Sequence, residues 1–386
     1  MPVERILFLI LRSELRKEPL SQKVRQALSP ETLAGLYKLA AAHDAAHIAG
    51  QAISKLPGLE PDENIQKMKQ KARQAFYRYV KMDREFGRIC AFLEQLQVPF
   101  IPLKGSVLRQ YYPENWMRTS CDIDIFIKEE DLPRVVNAFV EKLGYKNTKK
   151  ALHDISVFSP EGIHVELHHT LIEDFVSKKQ CQLLADLWKN ASPSKPGSYN
   201  YQLADPVFYF YHIAHMAKHF QNGGCGIRPF MDLWLLNNVI DFDRTDRERL
   251  LEEGDLLPFA KAAEKLARIW FEDESYAFMD RMMEEYVLNG GVYGTLTNTT
   301  AFSQYKKGGR LRNLLSRIYL PYDMIKYYYP VLQKHKYLTP VFQVVRWVKL
   351  LFHGKASVLV QEANRNAGIS RELLSATADL MNYLGL

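Results

Sequence analysis

Pro99–Ile127 reads PFIPLKGSVLRQYYPENWMRTSCDIDIFI, and its close, Asp122-Ile123-Asp124-Ile125-Phe126-Ile127, has the composition of a β-strand. β-Branched and aromatic residues suit a pleated surface, and a side-chain period of two makes Asp122 and Asp124 project from the same face. Two ionised carboxylates about 4 Å apart repel by about 4 kcal/mol at an effective dielectric of about 20. A strand therefore carries them together only where a cation, an arginine or a proton offsets the repulsion. A divalent metal is the simplest offset, because Mg²⁺ takes oxygen ligands and binds through one or two carboxylates together with substrate phosphates.

Working outward, Val98–Leu103 reads as a short buried strand that Lys104-Gly105-Ser106 breaks before a helix-like turn at Val107–Tyr112. Gly105 lets the backbone approach a phosphate, Ser106 offers a hydroxyl and an N–H near a helix start, and Lys104 adds a point charge. Downstream, Glu129–Leu143 has an acidic start and apolar residues at helical spacing, and it ends near Gly144. Two strands follow, Ile155–Phe158 and Ile163–Leu167, separated by the turn Ser159-Pro160-Glu161-Gly162. Glu166 on the second is a third carboxylate for the same sheet. Three acids can hold two metal ions or supply a general base.

Residues 1–95 read as helical throughout, with an Ala-rich run at Leu36–Ile53 and a charged amphipathic run at Asn64–Leu96, broken at Leu56-Pro57-Gly58. They form a cap or partner-binding layer on the sheet. Six consecutive apolar residues, Ile6–Leu11, are too few to span a membrane, and their acidic flanks do not suit a signal peptide. Ser192-Pro193-Ser194-Lys195-Pro196-Gly197-Ser198 concentrates turn formers and reads as a linker over Asn190–Asn200. Beyond it the pattern predicts helices at Asp205–Phe220, Pro229–Val239, Arg244–Glu253, Leu257–Phe271 and Glu274–Leu288, then two more. The expected organisation is α+β: a helical region 1–95, a core with a small mixed sheet at 96–190, and a helical region 201–386.

A chain of 386 residues with 47% hydrophobic and 25% charged side chains exceeds one typical domain and packs as ordinary globular protein. Cys90, Cys121, Cys181 and Cys225 are widely spaced with no CxxC, which favours a reducing, cytoplasmic setting, and Cys121 reads as a small buried hydrophobe. Charge is uneven. From Ala301 to Val360 there are 11 Lys and Arg against Asp323 alone, a local +10 that exceeds the +7 of the whole chain. Tyr and Trp are interleaved with these cations, a pattern that suits RNA, an anionic membrane surface, or a solvated helix face over an aromatic stripe.

Leu103-Lys104-Gly105, Tyr112-Pro113, Arg118, Asp122-Ile123-Asp124 and Val165-Glu166-Leu167-His168 together resemble an uncharacterised bacterial nucleotidyltransferase family of the DNA polymerase β superfamily. His215-x-x-x-His219-Phe220, Gly226-x-Arg228 and Asp232 resemble its second motif block, so the likeness runs from about residue 86 into the final third. The resemblance implies a small mixed sheet flanked by helices and transfer of an NMP from an NTP to an acceptor with release of pyrophosphate. It implies that Asp122 and Asp124 ligate Mg²⁺ or Mn²⁺, and that Glu166 is a third carboxylate acting as ligand or base. Gly105 and Ser106 would hold the β- and γ-phosphates with Lys104 and Arg118 nearby, and His168, His215, His219, Arg228 and Asp232 would complete the nucleotide site. The superfamily's third acid is most often Asp, and Glu166 reaches farther.

Other readings of the same residues stand beside these. His164, His168 and His169 invite zinc, although no CxxC or HExxH accompanies them. His215 and His219, four apart, are a metal half-site, a substrate-contacting pair or core histidines. Arg228 and Asp232, also four apart, suit a helix ion pair worth about 0.5 kcal/mol as well as a substrate contact. At the level of function the alternatives are a toxin-like or regulatory enzyme that modifies tRNA or protein, and an inactive nucleotide-binding or scaffold protein.

Overall fold

The computed structural model describes all residues except 59–61, 151–153, 173–176 and 353–355, together with the side chains of 147–150, 350–352 and 356–360. Its centre is a mixed five-stranded sheet of β1 (Phe100–Pro102), β2 (Asp122–Ile127), β3 (Lys146–Lys150), β4 (Asp154–Phe158) and β5 (His164–His168), in the order β1-β2-β5-β4-β3. β2 runs parallel to β5, and the other pairings are antiparallel. The register sets Asp122 opposite His164, Asp124 opposite Glu166 and Phe126 opposite His168, so the acids and histidines share one face. The opposite face is apolar. Ile123, Ile125, Ile127, Val165 and Leu167 bury there with Val135 and Phe139 of the helix Leu132–Leu143 and with Ile89 and Leu93 of the long helix Glu63–Gln95.

β1, β2, β4 and β5 lie within a residue or two of their sequence positions, whereas β3 carries no sequence signal. It is a lysine-rich edge strand, Lys-Asn-Thr-Lys-Lys, without the alternation that betrays a half-buried one. The turn formers of Asn190–Asn200 make a hairpin of β6 (Ala191–Pro193) and β7 (Tyr201–Leu203) where a linker was expected. Glu94 pins that hairpin, accepting from the amides of Tyr199 at 3.0 Å and Asn200 at 3.2 Å and from the Ser198 hydroxyl.

The N-terminal apolar run belongs to a different core from the sheet's. In the helix Val3–Arg16, Ile6, Leu7, Ile10 and Leu11 are fully buried, and Phe8 stacks on Trp270 of the helix Leu257–Glu272 with ring centroids 4.4 Å apart. Helices from the two ends of the chain therefore share one hydrophobic cluster. The helix Ala46–Ser54 crosses the long helix at Gly50, where a Cβ would lie 2.3 Å from the Met68 carbonyl oxygen.

Past Leu288 the chain forms Leu296–Lys307, Arg310–Ile318, Tyr322–Tyr328, Val331–Lys334, Thr339–Phe352, Ala356–Gly368 and Arg371–Leu384. The sequence suggested only two helices here. Gly308-Gly309, Pro321 and Pro330 cut the apolar periodicity into pieces too short to register individually.

Candidate active site

The acid face of the sheet looks across a cavity of about 370 Å³ towards the helix Asp205–Gln221, which contributes Tyr211, His215 and His219 to the opposite wall. Lys104, Gly105, Arg118, Asp122, Asp124, Glu166, His168, His215, His219, Arg228 and Asp232 all line this one space. Ser106 does not line it. The turn it belongs to presents Lys104 and Gly105 instead, and Ser120, from the loop entering β2, stands against Gly105.

That turn is shaped by an unusual backbone. Lys104 has φ 43° and ψ −117°, a positive φ that a non-glycine residue holds only when its surroundings impose it. Its Nζ donates to Oδ1 of Asp124 at 2.8 Å. A Cβ on Gly105 would lie 3.0 Å from Cβ of Ser120 and 3.3 Å from Nη1 of Arg118, so glycine is what allows the turn to close on the β2 entrance. Buried Arg109 staples the two arms, donating to the Gly105 carbonyl at 2.8 Å and to the Ser120 hydroxyl at 2.9 Å.

The electrostatics separate the three acids. Burial disfavours ionisation of Asp124, but the Lys104 charge and the His168 hydrogen bond outweigh it and hold that carboxyl well below the usual range. The bond from His168, 3.3 Å away, likewise lowers Glu166 against the effect of its burial. His168 is buried, which favours the neutral ring, yet its bonds to Asp124 at 2.8 Å and to Glu166 raise its pKa overall. Asp122 differs. Burial, and then the neighbouring charge of Asp124, push its carboxyl upward and outweigh the opposing pull of Lys104 and His164.

Two groups of metal-ligating side chains occur among the described residues: Asp124, Glu166 and His168, and Asp122, His164 and Glu166. In each, the donor atoms lie within 4.8 Å of one another. The residues fit a divalent cation, because three carboxylates crowd one face of the sheet and the Asp122 carboxyl is pushed upward by burial and by Asp124 despite the Lys104 and His164 charges. The set is dominated by oxygen, which suits Mg²⁺ or Mn²⁺ better than a structural zinc. His164 reaches Ser156 at 3.0 Å, and His169 belongs to neither group.

Arg118 and Asp232 form the second layer of the site. The guanidinium grips Asp232 with two bonds, Nε to Oδ1 at 3.0 Å and Nη2 to Oδ2 at 2.9 Å, and the Tyr112 hydroxyl donates to Oδ1 at 2.7 Å. All three side chains are buried, and the pair joins the β2 entrance to the helix Arg228–Asn238. This overturns the i,i+4 reading of Arg228 with Asp232. Arg228 instead donates to the Thr119 carbonyl at 3.1 Å and to Asp44 at 3.3 Å. At the mouth, Nε2 of His219 lies 3.1 Å from Nε2 of His215, and burial drives the His215 pKa far down.

Sequence reasoning missed Ser120, Tyr211 and Tyr293, and it misread Cys121. Cys121 is exposed at the cavity edge, where Tyr293 meets it, and not a buried hydrophobe. The glycines around Tyr293 mark a loop, but nothing local says where that loop returns.

A model of the family described as an uncharacterised nucleotidyltransferase matches residues 29–272. No curated protein and no solved structure matches the chain.

Proposed function

Because the chain belongs to this nucleotidyltransferase family, we propose that it moves an NMP from an NTP to an acceptor. The acceptor attacks the α-phosphorus, the bond from that phosphorus to the bridging oxygen breaks, and pyrophosphate leaves. The observation that carries this reading is the placement of Asp122, Asp124 and Glu166 on paired strands, facing a cavity of about 370 Å³ with their donor atoms clustered. A space of that size suits a nucleotide-sized ligand.

Asp122 and Asp124 would hold Mg²⁺ or Mn²⁺, with Glu166 as the third carboxylate. Such an ion, when bound, neutralises phosphate charge and activates the attacking group. The lowered pKa of Glu166 makes it a weak base and favours its part as a ligand. Lys104 and His168 hold Asp124 ionised and oriented. Arg118 is committed to Asp232, so its role is to position the β2 entrance, whereas His215, His219 and Arg228 face the ligand space from the far wall. Preorganised charge of this kind supplies most of the barrier lowering in phosphoryl-type transfer.

Cys90, Cys121 and Cys225 form no disulfide, and among the described residues no helix is long and apolar enough to cross a membrane. A reducing cytoplasm is the proposed setting. The test incubates the protein with each labelled NTP, Mg²⁺ or Mn²⁺ and a lysate, and then sorts the label by RNase, protease and solvent extraction. Label that appears with wild type and vanishes with Asp124→Ala supports transfer. Label in no fraction from folded protein sinks the enzyme reading.

A further inference from the structure

In the segment from Arg310 to Lys349 two helices turn apolar side chains outward, while Ile325 and Leu332 between them are buried. In the helix Arg310–Ile318, Leu311, Leu315 and Ile318 fall at i, i+4 and i+7 and are between 48% and 69% exposed. The inward side holds a polar residue instead: Asn313 is fully buried and donates to the Asn366 side-chain carbonyl at 2.9 Å. An ordinary surface helix turns its apolar stripe to the core. The helix Thr339–Phe352 repeats the inversion, with Val341, Val344 and Val348 between 45% and 55% exposed. Its buried contact is Gln343, whose amide nitrogen donates to the Leu320 carbonyl at 2.6 Å and whose amide oxygen accepts from the Leu320 N–H at 3.3 Å. The two helices are tied end to side, because Arg346 donates to the Arg317 and Ile318 carbonyls and the Trp347 ring N–H donates to the latter at 2.7 Å.

Exposed Tyr319, Tyr328 and Tyr337 accompany these stripes, and the stretch Ala301–Val360 carries 11 cations, of which Lys355 lies outside the described residues, against a single acid. Aliphatic stripes, amphipathic aromatics and a near-absence of acids are the chemistry of a helix pair lying in the plane of a membrane interface. We propose that this face docks on an anionic lipid surface. A second copy of the chain would bring +10 against +10. A nucleic acid strand would stack on the exposed tyrosines but would leave the exposed leucine, isoleucine and valine side chains of both helices unmatched. No described helix can span a bilayer, so the attachment is peripheral. This inference is independent of the transfer chemistry.

The experiment sediments the full chain with vesicles of phosphatidylcholine alone or mixed with phosphatidylglycerol, at low and high salt. Binding is expected only to the anionic vesicles, weakening with salt, and Leu311→Gln/Leu315→Gln/Ile318→Gln should lower it on the order of tenfold or more with circular dichroism unchanged. The substituted side chains are exposed, so the variant spares the core. No sedimentation of wild type, or equal sedimentation of the variant, overturns the proposal. So does light scattering that shows a dimer dispersed by the triple substitution, or retention of single-stranded RNA that the substitution abolishes without any lipid binding.

Discussion

Lys104 and Asp124 meet at 2.8 Å across the turn that precedes the sheet's acid pair, and the oxygen that Lys104 contacts, Oδ1, also faces Nε2 of His168 at 2.8 Å. One carboxylate thus takes both close contacts, while Asp122, two residues away on the same face, feels Lys104 and His164 only at longer range. Asp124 is the electrostatic hub. Asp124→Asn should keep the shape and lose about 10²-fold or more in NMP transfer, a typical loss when one preorganised charge is removed from a reacting site. Lys104→Met should also lower transfer, and His168→Gln, which keeps a donor towards Asp124, should lower it less. Equal activity in Asp124→Asn under saturating metal and NTP would remove Asp124 from the mechanism.

Gly105 gives a steric prediction of its own. Gly105→Ala places a methyl 3.0 Å from Cβ of Ser120, so either the turn or the β2 entrance must shift. Such displacements in a positioned site commonly cost about 10²-fold in rate. Ser120→Gly removes the opposing atom. The double variant should therefore recover activity that Gly105→Ala loses, measured as initial rates on the best NTP; a double variant no better than the single one would show that this close approach is not what matters.

The Arg118–Asp232 pair should matter for stability. Breaking a buried ion pair by removing one partner costs about 3–5 kcal/mol, because the other charge stays buried and alone. Asp232→Ala and Arg118→Ala should each destabilise by that amount in urea unfolding, and the double variant should fall well short of the sum. Tyr112→Phe removes one hydrogen bond to the same carboxylate and should cost about 1 kcal/mol. Additive singles would mean that the two charges do not share an environment.

These variants also show what a sequence can reveal. Asp122, Asp124 and Glu166 were legible because strand period and apolar context are local signals, and two strands of the right length align their acids whatever joins them. The partners were not. Arg118 and Asp232 are 114 positions apart, and local pattern joined Asp232 to Arg228 because helical spacing can be read without tertiary structure and a contact across 114 positions cannot. Ser106 was chosen and Ser120 missed for a similar reason: Ser106 is next to Gly105 in sequence, whereas the approach of Ser120 to Gly105 is a tertiary contact. The edge strand escaped because its sequence, Lys-Asn-Thr-Lys-Lys, lacks alternation, and the C-terminal helices because Gly308-Gly309, Pro321 and Pro330 cut their periodicity.

Acid should loosen the joint that holds the cavity's outer loop. Nε2 of His43 lies 3.1 Å from the Leu288 carbonyl while its buried Nδ1 has no hydrogen-bond partner among the described residues, and the adjacent Ala42 carbonyl accepts from the Val292 amide at 3.1 Å. His47 is buried with Nε2 2.8 Å from the Met117 carbonyl. Burial lowers the pKa of both rings, so each is neutral in the folded chain and takes up a proton more readily when unfolded. A depressed folded-state pKa contributes stability above the unfolded value of about 6.5, and that contribution is lost as pH falls from there towards the folded value. The loss is at most about 1.4 kcal/mol per histidine for each pH unit crossed. Urea unfolding at pH 7.5 and 5.5 should show a less stable protein at the lower pH, and His47→Gln, which keeps a donor for Met117 but cannot titrate, should narrow the difference. A gap unchanged by His47→Gln and by His43→Leu would assign the acid sensitivity to other groups. Tyr293 and Val292 line the cavity from the loop that hangs on this joint, so the same acidification should weaken NTP binding before the chain unfolds as a whole.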